Sequence, residues 1–184
     1  MSVSFESERL LIRMSDVKFT DALLDYYSRN RDFFSHAEPA RTDAYYTHDV
    51  QERILKQEME NIEGSVSYYY YYSLKEDPDT IIGSISFVRI RKMPYFSVIF
   101  GYDLDEHMQG NGYATEACAA SIKHILSKQE IHRIESRVRT DNQKSIRVLE
   151  RLGFVFEGDE FKSIYLEGEF RDHYRYAYIN EDFR

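Results

Sequence analysis

Recurring apolar positions divide the first half of the chain into a strand, two helices and three further strands. ERLLIRM, residues 8–14, predicts a strand. Apolar residues at helical spacing then predict one helix capped by Ser15 or Asp16 and another over residues 49–62. Three β-rich segments follow, SVSYYYYYSL, TIIGSISFVRI and FSVIFGYDL, separated by the turn signals KEDPD and MPY. These three segments predict an antiparallel meander.

The second half of the chain alternates between helices and strands. The pattern predicts a helix over residues 112–127, a strand over IHRIESRVR, a short helix over residues 141–151, and closing strands over FVFEGDEFKSIYL and FRDHYRYAYI. A strand, helix, strand order implies a right-handed crossover and one parallel pair of strands. We therefore predict a single α/β domain over residues 1–184, with a mostly antiparallel sheet, one central parallel pair and helices on both faces.

Composition supports a globular domain and excludes several other classes of protein. Hydrophobic residues make up 42% of 184 residues, and only three prolines and eight glycines interrupt the chain. We see no signal peptide and no apolar run long enough to cross a membrane, so we expect a cytoplasmic protein. The only cysteine, Cys118, excludes an intrachain disulfide, and its small neighbours predict a buried packing residue.

Charge and side-chain spacing argue against nucleic-acid and metal sites. The net charge is −8 and basic residues are scattered among acidic ones, which is unfavourable for nucleic acid but would attract a basic substrate. The six histidines include no pair at the helical spacing of two metal ligands, so we predict no metal site. Five consecutive tyrosines, residues 68–72, predict a strand whose rings alternate between a buried and an exposed face.

A glycine-rich turn, QGNGYATEA from Gln109 to Ala117, connects the third strand of the meander to the next helix. Its glycines permit positive φ, and the following helix directs free N–H groups towards a bound anion. Any short strand-to-helix connection also favours glycine, so the turn alone leaves both interpretations open. It lacks the Gly-Lys-Ser/Thr ending of a P-loop, and Thr115 replaces the last glycine of a dinucleotide-binding fingerprint.

The six residues Gln109-Gly110-Asn111-Gly112-Tyr113-Ala114 resemble the Q/R-x-x-G-x-G/A signature of the GCN5-related N-acetyltransferases (GNAT). The predicted order of elements resembles that fold over nearly the whole chain. ERLLIR, GYDLDEHMQGNGYATEA and RTDNQKSIRVLERLGFVFEG are similar to ribosomal-protein N-terminal acetyltransferases of the RimJ/RimL type. The resemblance implies the GNAT acyl-CoA N-acyltransferase fold, acetyl-CoA as cosubstrate, and transfer of acetyl to a primary amine, such as the N-terminal α-amino group of a ribosomal protein.

By this resemblance, acetyl-CoA is held mainly by the backbone of the turn and of the strand before it. Each exposed helix-end interaction is worth only about 0.3 to 1 kcal/mol, so several N–H groups must share the binding of the pyrophosphate. The implied cofactor-binding residues are Tyr102, Leu104, Gln109, Gly110, Asn111, Gly112, Tyr113, Ala114, Thr115, Asn142 and Ser145.

Two interpretations are open for Asn142 and Ser145, which lie three residues apart at the start of the short helix. In the first, Asn142 caps the helix and Ser145 is solvated. The resemblance implies instead that Asn142 binds the pantetheine arm and that Ser145 is catalytic, because a departing thiolate of pKa about 8.5 can take a proton from a nearby hydroxyl. Lys144, Arg147 and Arg151 share a helix face that either is solvated or reaches the 3′-phosphate.

The chain departs from the family at the general base. Related enzymes often carry a glutamate where this chain has Ile99, and serine-acetylating ones carry a carboxylate near the position of Ile164. Asp103, Glu106, Glu160 and water remain candidates, and Asp103 is our choice. At pH 7 an α-amino group is roughly one-tenth neutral, whereas only about one lysine in two thousand is neutral, so the lack of a strong base favours an N-terminal amine.

The acceptor amine and the assembly are left open by the sequence. A polyamine or other small-amine acetyltransferase and a non-catalytic acyl-CoA-binding module are alternatives, as are a monomer and a homodimer. Asp32, Glu38, Asp43 and Asp49 either attract a basic peptide or are solvated, and residues 30–48 suggest a lid without establishing one. Because the only cysteine is expected to pack in the core, we predict direct attack in a ternary complex, without an acetyl-enzyme.

Overall fold

The computed structural model describes residues 3–35, 41–166 and 168–183. Within these ranges the chain forms an eight-stranded sheet and five α-helices. The strands are β1 (Ser4–Glu6), β2 (Leu10–Met14), β3 (Tyr68–Leu74), β4 (Gly83–Arg91), β5 (Ser97–Leu104), β6 (Arg133–Arg139), β7 (Val155–Leu166) and β8 (Glu169–Ile179). The helices are α1 (Thr20–Arg29), α2 (Arg31–Ser35), α3 (His48–Glu63), α4 (Tyr113–Leu126) and α5 (Gln143–Arg151). No helix in the described ranges is long and apolar enough to cross a membrane.

The sheet has the strand order β1-β2-β3-β4-β5-β6-β8-β7 and is antiparallel except between β5 and β6. This topology confirms the predicted meander and the single parallel pair, which is connected through α4. The parallel pairing covers only Ser97–Ile99 and Arg133–Glu135, whereas β5 remains paired with β4 as far as Leu104. The two central strands therefore separate towards their carboxyl ends.

Helices cover both faces of the sheet, and the run of tyrosines in β3 contributes to both layers of the core. Tyr68, Tyr70 and Tyr72 belong to the apolar cluster that includes α4 and α5 residues, while Tyr71 packs with residues of α1 and α3. The predicted alternation of faces is confirmed. The expectation of exposed rings was wrong, because four of the rings are buried and Tyr69 is half-buried.

Two short elements near the N-terminus were not predicted. The first strand was placed from residue 8, but β2 begins at Leu10, because Ser7 and Leu10 close a turn through Ser7 N–H to the Leu10 carbonyl at 3.0 Å. That turn joins β2 to β1, which is too short to show an alternating pattern. Helix α2 was also missed, since five residues cannot show helical periodicity. Residues 36–40, including Glu38 and part of the suggested lid, lie outside the described residues.

A buried carboxyl group connects α3 to the sheet. Glu58 is 9% exposed, and the Tyr71 hydroxyl lies within hydrogen-bond distance of both carboxylate oxygens, at 3.0 and 2.9 Å. Burial raises the pKa of Glu58 to about 7, because the hydrogen bond from Tyr71 only partly offsets the cost of a buried charge. This carboxyl group therefore titrates near neutral pH in the folded protein.

We expect Glu58→Gln to reduce the loss of stability between pH 5 and pH 8. Because the folded pKa lies above the unfolded value, the proton stabilises the folded state at low pH, and that contribution disappears as the pH rises through 7. Between these pH values the wild type should lose about 2 kcal/mol of unfolding free energy relative to the variant. Denaturant unfolding at both pH values measures this difference. Glu63→Gln, at an exposed position of α3, is the matched control, and a pH-independent effect of Glu58→Gln would contradict the assignment.

Candidate active site

The separation of β5 from β6 leaves backbone groups of β5 directed into a gap. Asp105, just after β5, donates its N–H to the Ile82 carbonyl at 2.8 Å, on the β4 side. Backbone groups alternate in direction along a strand, so those of Tyr102 and Leu104 point to the opposite edge, where pairing with β6 has ended at Ile99. An extended ligand can therefore pair with Tyr102 and Leu104, as the resemblance implied.

The glycine-rich turn leaves open space in front of its backbone. Gly110 and Gly112 have φ values of 81° and 80°, in the left-handed region that favours glycine. A Cβ atom on Gly110 would meet no atom of the described residues within 4 Å, and one on Gly112 would meet only the Arg9 side chain, at 3.5 Å. Backbone conformation and ligand access, not crowding within the protein, thus require glycine here.

Helix α4 begins with unsatisfied N–H groups. Its N-cap is Gly112, which has no side-chain oxygen, and Glu116 N–H is bonded to the Gly112 carbonyl at 3.1 Å. The earlier N–H groups, those of Tyr113, Ala114 and Thr115, have no acceptor within the helix. Together with the positive end of the helix dipole, these N–H groups are suited to binding an anion.

A cavity of about 770 Å³ joins the turn, the free edge of β5 and helix α5. Every residue predicted for the site lines this cavity except Asn111 and Tyr113. The lining residues are Phe33, Phe34, Tyr102, Asp103, Leu104, Gln109, Gly110, Gly112, Ala114, Thr115, Arg139, Asp141, Asn142, Lys144, Ser145, Arg147, Val148 and Arg151. The predicted residues therefore come together around one cavity, although they belong to separate parts of the sequence.

The side chains of Asn111 and Tyr113 support the turn and do not line the cavity. The Asn111 amide donates to the carbonyls of Met108 and Gln109, both at 3.2 Å. The Tyr113 ring lies 4.5 Å from the guanidinium carbon of Arg9. Only the backbones of Asn111 and Tyr113 are thus suited to binding a ligand.

A pair of hydroxyl groups lies at the meeting point of β5 and α5. Tyr102 Oη and Ser145 Oγ are 2.8 Å apart, and burial raises the pKa of Tyr102, which keeps the phenol neutral. Asn142 Oδ1 accepts the N–H of Ser145 at 3.0 Å, so the predicted cap is confirmed and it fixes the first turn of α5. Sequence reasoning gave Tyr102 only a backbone role and missed its hydroxyl, because this contact depends on how α5 packs.

The carboxylate candidates for the general base differ in position. Asp103 lines the cavity, and its Oδ2 accepts from Ser84 Oγ at 2.9 Å. Glu160 accepts from Arg137 Nε at 2.7 Å, and neither Glu160 nor the exposed Glu106 is among the lining residues. Of the three carboxylates, Asp103 alone borders the cavity.

Basic side chains surround one side of the cavity. The predicted helix face of Lys144, Arg147 and Arg151 borders it, together with Arg139, whose position was not predicted. Lys144 Nζ donates to Gln109 Oε1 at 2.7 Å, so the Gln109 side chain connects the turn to α5. This concentration of positive charge favours a phosphate-bearing ligand.

A buried polar network holds the segment between β5 and the turn. The Asp105 carboxylate accepts from Arg29 Nε at 2.7 Å and from Asn30 Nδ2 at 2.9 Å, and Asn30 Oδ1 accepts from Glu106 N–H at 2.9 Å. Burial by itself would raise the pKa of Asp105, but the hydrogen bonds from Asn30 and Arg29 lower it below its usual value. The end of α1 therefore helps to position the turn, a role that no local sequence pattern indicated.

Cys118 lies on the buried face of α4, in the core, and is fully buried, which confirms the predicted packing role. Burial raises the pKa of its thiol well above the ordinary value, so the reactive thiolate is disfavoured. Among the residues that the structure describes, no group of three or more His, Cys, Asp or Glu side chains is arranged to hold a metal ion.

Comparison with known proteins gives the same family throughout. Residues 9–155 match the family described as Acetyltransferase (GNAT) domain. The [Ribosomal protein uS5]-alanine N-acetyltransferase of Escherichia coli K12 is 31% identical over 183 residues, covering 98% of this chain and 92% of that protein. The crystal structure of ribosomal-protein-S5-alanine acetyltransferase from Vibrio fischeri is 32% identical, with a TM-score of 0.94 over 99% of each chain.

The structure of RimL, a ribosomal L7/L12 α-N-protein acetyltransferase in complex with coenzyme A, shares the fold. It superposes with a TM-score of 0.86 at 24% identity, over 96% of this chain and 98% of that one. The family match, the relatives and the cavity agree with one another. The chain therefore belongs to the GNAT family, and it is an N-acetyltransferase enzyme.

Proposed function

We propose that this protein transfers acetyl from acetyl-CoA to the N-terminal α-amino group of a ribosomal protein. The observation that carries the proposal is the cavity that joins the unsatisfied amides of α4, the free backbone edge of β5 and the Tyr102–Ser145 pair. The relatives named for ribosomal-protein acetylation support the acceptor class.

The residues around the cavity fit the parts of coenzyme A. The N–H groups at the start of α4 and in the turn suit the pyrophosphate, and the backbone of Tyr102 and Leu104 suits the pantetheine amides. Asn142 uses Oδ1 for the cap, so its Nδ2 is the group that would donate to the same arm. Lys144, with the other basic residues of α5, suits the remaining phosphate. When bound, acetyl-CoA supplies an activated thioester carbonyl.

Ser145 and Asp103 would handle the two proton transfers. The neutral amine attacks the thioester carbonyl carbon, a C–N bond forms and the C–S bond breaks. Asp103, or water, takes the proton released by the amine nitrogen. Ser145 Oγ–H gives its proton to the departing sulfur and takes a replacement proton from water, so that the serine hydroxyl is regenerated. The 2.8 Å contact allows either hydroxyl to donate, and we assign Tyr102 Oη as the donor, which leaves the serine O–H free to donate to the sulfur. Tyr102 would thus act through Ser145 as a positioning residue. The burial of Cys118 supports direct attack in a ternary complex.

The apolar residues at the family's usual base positions support an α-amine acceptor. Ile99 and Ile164 cannot take a proton, and the Asp103 carboxylate is already bonded to Ser84. The pKa difference between an α-amine and a lysine corresponds to about 3 kcal/mol in forming the neutral nucleophile. An enzyme with a weak base is therefore better matched to the α-amine.

Attraction of a basic N-terminal peptide has weaker support. Asp43 is paired with Arg31, which partly neutralises it, whereas Asp32 and Asp49 are exposed. We further propose that the 184-residue chain acts as one cytoplasmic domain, as a monomer or homodimer, without nucleic-acid or membrane partners. The single continuous sheet and the absence of basic blocks support this description.

An acceptor panel tests the proposal directly. Purified protein and acetyl-CoA are mixed with peptides carrying free N-terminal alanine or serine, the same peptides with a blocked α-amine and an internal lysine, and spermidine. We expect thiol release and a mass gain of one acetyl group only with the free α-amines. Preferential turnover of spermidine would favour the small-amine alternative, and coenzyme A binding without turnover on any acceptor would favour a non-catalytic module.

A further inference from the structure

Arg9 contacts the glycine-rich turn from a distant part of the chain. It lies in the short connection between β1 and β2, and its Nη1 donates to the Asn111 carbonyl at 3.0 Å. The guanidinium also lies over the Tyr113 ring, and its Nη2 is the nearest atom to a Cβ built on Gly112. These contacts reach three consecutive residues of the turn without placing Arg9 in the cavity lining.

The same arginine neutralises an acidic residue in the first turn of α4. Glu116 Oε2 accepts from both Arg9 Nε and Arg9 Nη2 at 2.7 Å, and Oε1 accepts from the Arg9 backbone N–H at 2.7 Å. Ser7 Oγ donates to Oε1 at 2.7 Å as well. Burial alone would raise the pKa of Glu116, but the hydrogen bonds from Arg9 and Ser7 lower it, so the carboxylate is charged and fully bonded.

An unpaired carboxylate at position 116 would oppose the binding of an anion at this helix end. Glu116 lies one residue after Thr115, the last of the unsatisfied amides that face the proposed pyrophosphate. A negative charge within the first turn occupies the positive end of the helix dipole and repels a second negative group. The two contacts of the Arg9 guanidinium with Glu116 Oε2 remove that conflict and hold the turn in one conformation.

We propose that Arg9 is a positioning residue for acetyl-CoA, which fixes the turn around Gly112 and cancels the charge of Glu116 so that the pyrophosphate can bind. This inference rests on the proposed function, because it requires a diphosphate at the start of α4. The role of Arg9 concerns only the diphosphate portion of the ligand. Substitution of Arg9 should therefore leave the acetyl-transfer groups on β5 and α5 unaffected.

Coenzyme A and pantetheine analogues separate this role from a general structural one. Titration calorimetry gives the dissociation constant of coenzyme A for the wild type, Arg9→Ala, Glu116→Gln and the double variant. Acetyl-pantetheine, which lacks the pyrophosphate, gives kcat/KM for the acetyl-transfer groups alone. Arg53→Ala, at an exposed arginine of α3, is the matched control, and thermal unfolding shows that each variant is folded.

We expect Arg9→Ala to weaken coenzyme A about tenfold or more while kcat/KM for acetyl-pantetheine stays within about twofold. Adding Glu116→Gln should raise the coenzyme A affinity at least about threefold above that of Arg9→Ala, because the unpaired carboxylate is then gone. Arg9→Lys should give an intermediate affinity, since it keeps the charge but cannot make both guanidinium contacts with Glu116 Oε2 and the contact with the Asn111 carbonyl.

Three results would overturn the inference. The first is an unchanged coenzyme A affinity in folded Arg9→Ala. The second is a loss of kcat/KM for acetyl-pantetheine as large as the loss of coenzyme A affinity. The third is a coenzyme A affinity of the double variant no higher than that of Arg9→Ala. If the wild type itself fails to bind coenzyme A, the proposed function fails instead. The two failures are therefore distinguishable in the same experiment.

Discussion

Gly112→Glu is expected to weaken coenzyme A binding by about 100-fold or more in a folded protein, a loss of close to 3 kcal/mol. Gly112 is the N-cap of α4 and lies among the amides proposed to hold the pyrophosphate. The new side chain would occupy the open space in front of the turn, and its carboxylate would compete with the diphosphate for the same N–H groups.

Two further substitutions separate the contributions to this loss. Gly112→Ala has the same backbone strain as Gly112→Glu, because each places a side chain at a φ of 80°, but it adds only a methyl group. Gly112→Gln adds the volume of glutamate without its charge. Affinity should therefore decrease in the order Ala, Gln, Glu. Calorimetric titration with coenzyme A measures all three, and thermal unfolding reports the cost of the strained backbone separately. A folded Gly112→Glu protein with wild-type affinity would count directly against the proposed pyrophosphate site.

Ser145→Ala is expected to lower kcat by about 100-fold, with the KM for acetyl-CoA changed only slightly. In the proposed mechanism Ser145 protonates the departing sulfur, so its hydroxyl would matter during bond breaking more than during binding. Tyr102→Phe should lower kcat less than Ser145→Ala does, since Tyr102 acts through Ser145. The dependence of kcat on pH in Tyr102→Phe should become more similar to that in Ser145→Ala. Rates are best measured in single turnovers, so that slow product release does not mask the chemical step.

The double variant of Tyr102 and Ser145 tests whether the hydroxyls act together. Their Oη and Oγ atoms are 2.8 Å apart, so once Ser145 is replaced by alanine, removing the Tyr102 hydroxyl should have little further effect on kcat. Val148→Ala, at another lining residue of α5 without a hydroxyl, is the control for altered packing. Strictly additive effects would mean that the two hydroxyls do not form one proton-transfer unit, and a full single-turnover rate in Ser145→Ala would assign the proton to solvent.

In the proposed mechanism, binding and catalysis depend on different features of this protein. The proposed pyrophosphate and pantetheine contacts come mainly from backbone groups, which the glycines and the separation of β5 from β6 expose. The proposed proton transfers come from side chains, Ser145 and Asp103, with Tyr102 in support. Substitutions that deform the turn should thus affect affinity, while substitutions at the hydroxyl pair should affect turnover.

Local features of the site could be predicted from the sequence because nearby residues determine them. Two glycines before a helix indicated positive φ and free amides, and Asn142 three residues before Ser145 indicated a helix cap. The succession of apolar patterns gave the meander, the crossover and the parallel pair. Short elements such as β1 and α2 escaped prediction, since three or five residues do not complete a recognisable period.

Contacts between distant residues were decided only by the tertiary structure. Tyr102 and Ser145 are 43 positions apart, Asn30 and Asp105 are 75 apart, and Arg9 and Glu116 are 107 apart. Hydrophobic periodicity shows which face of an element is buried but not which residue of another element it meets. That information comes from strand order and register, which place the β1–β2 connection beside the turn and bring α5 against the open edge of β5.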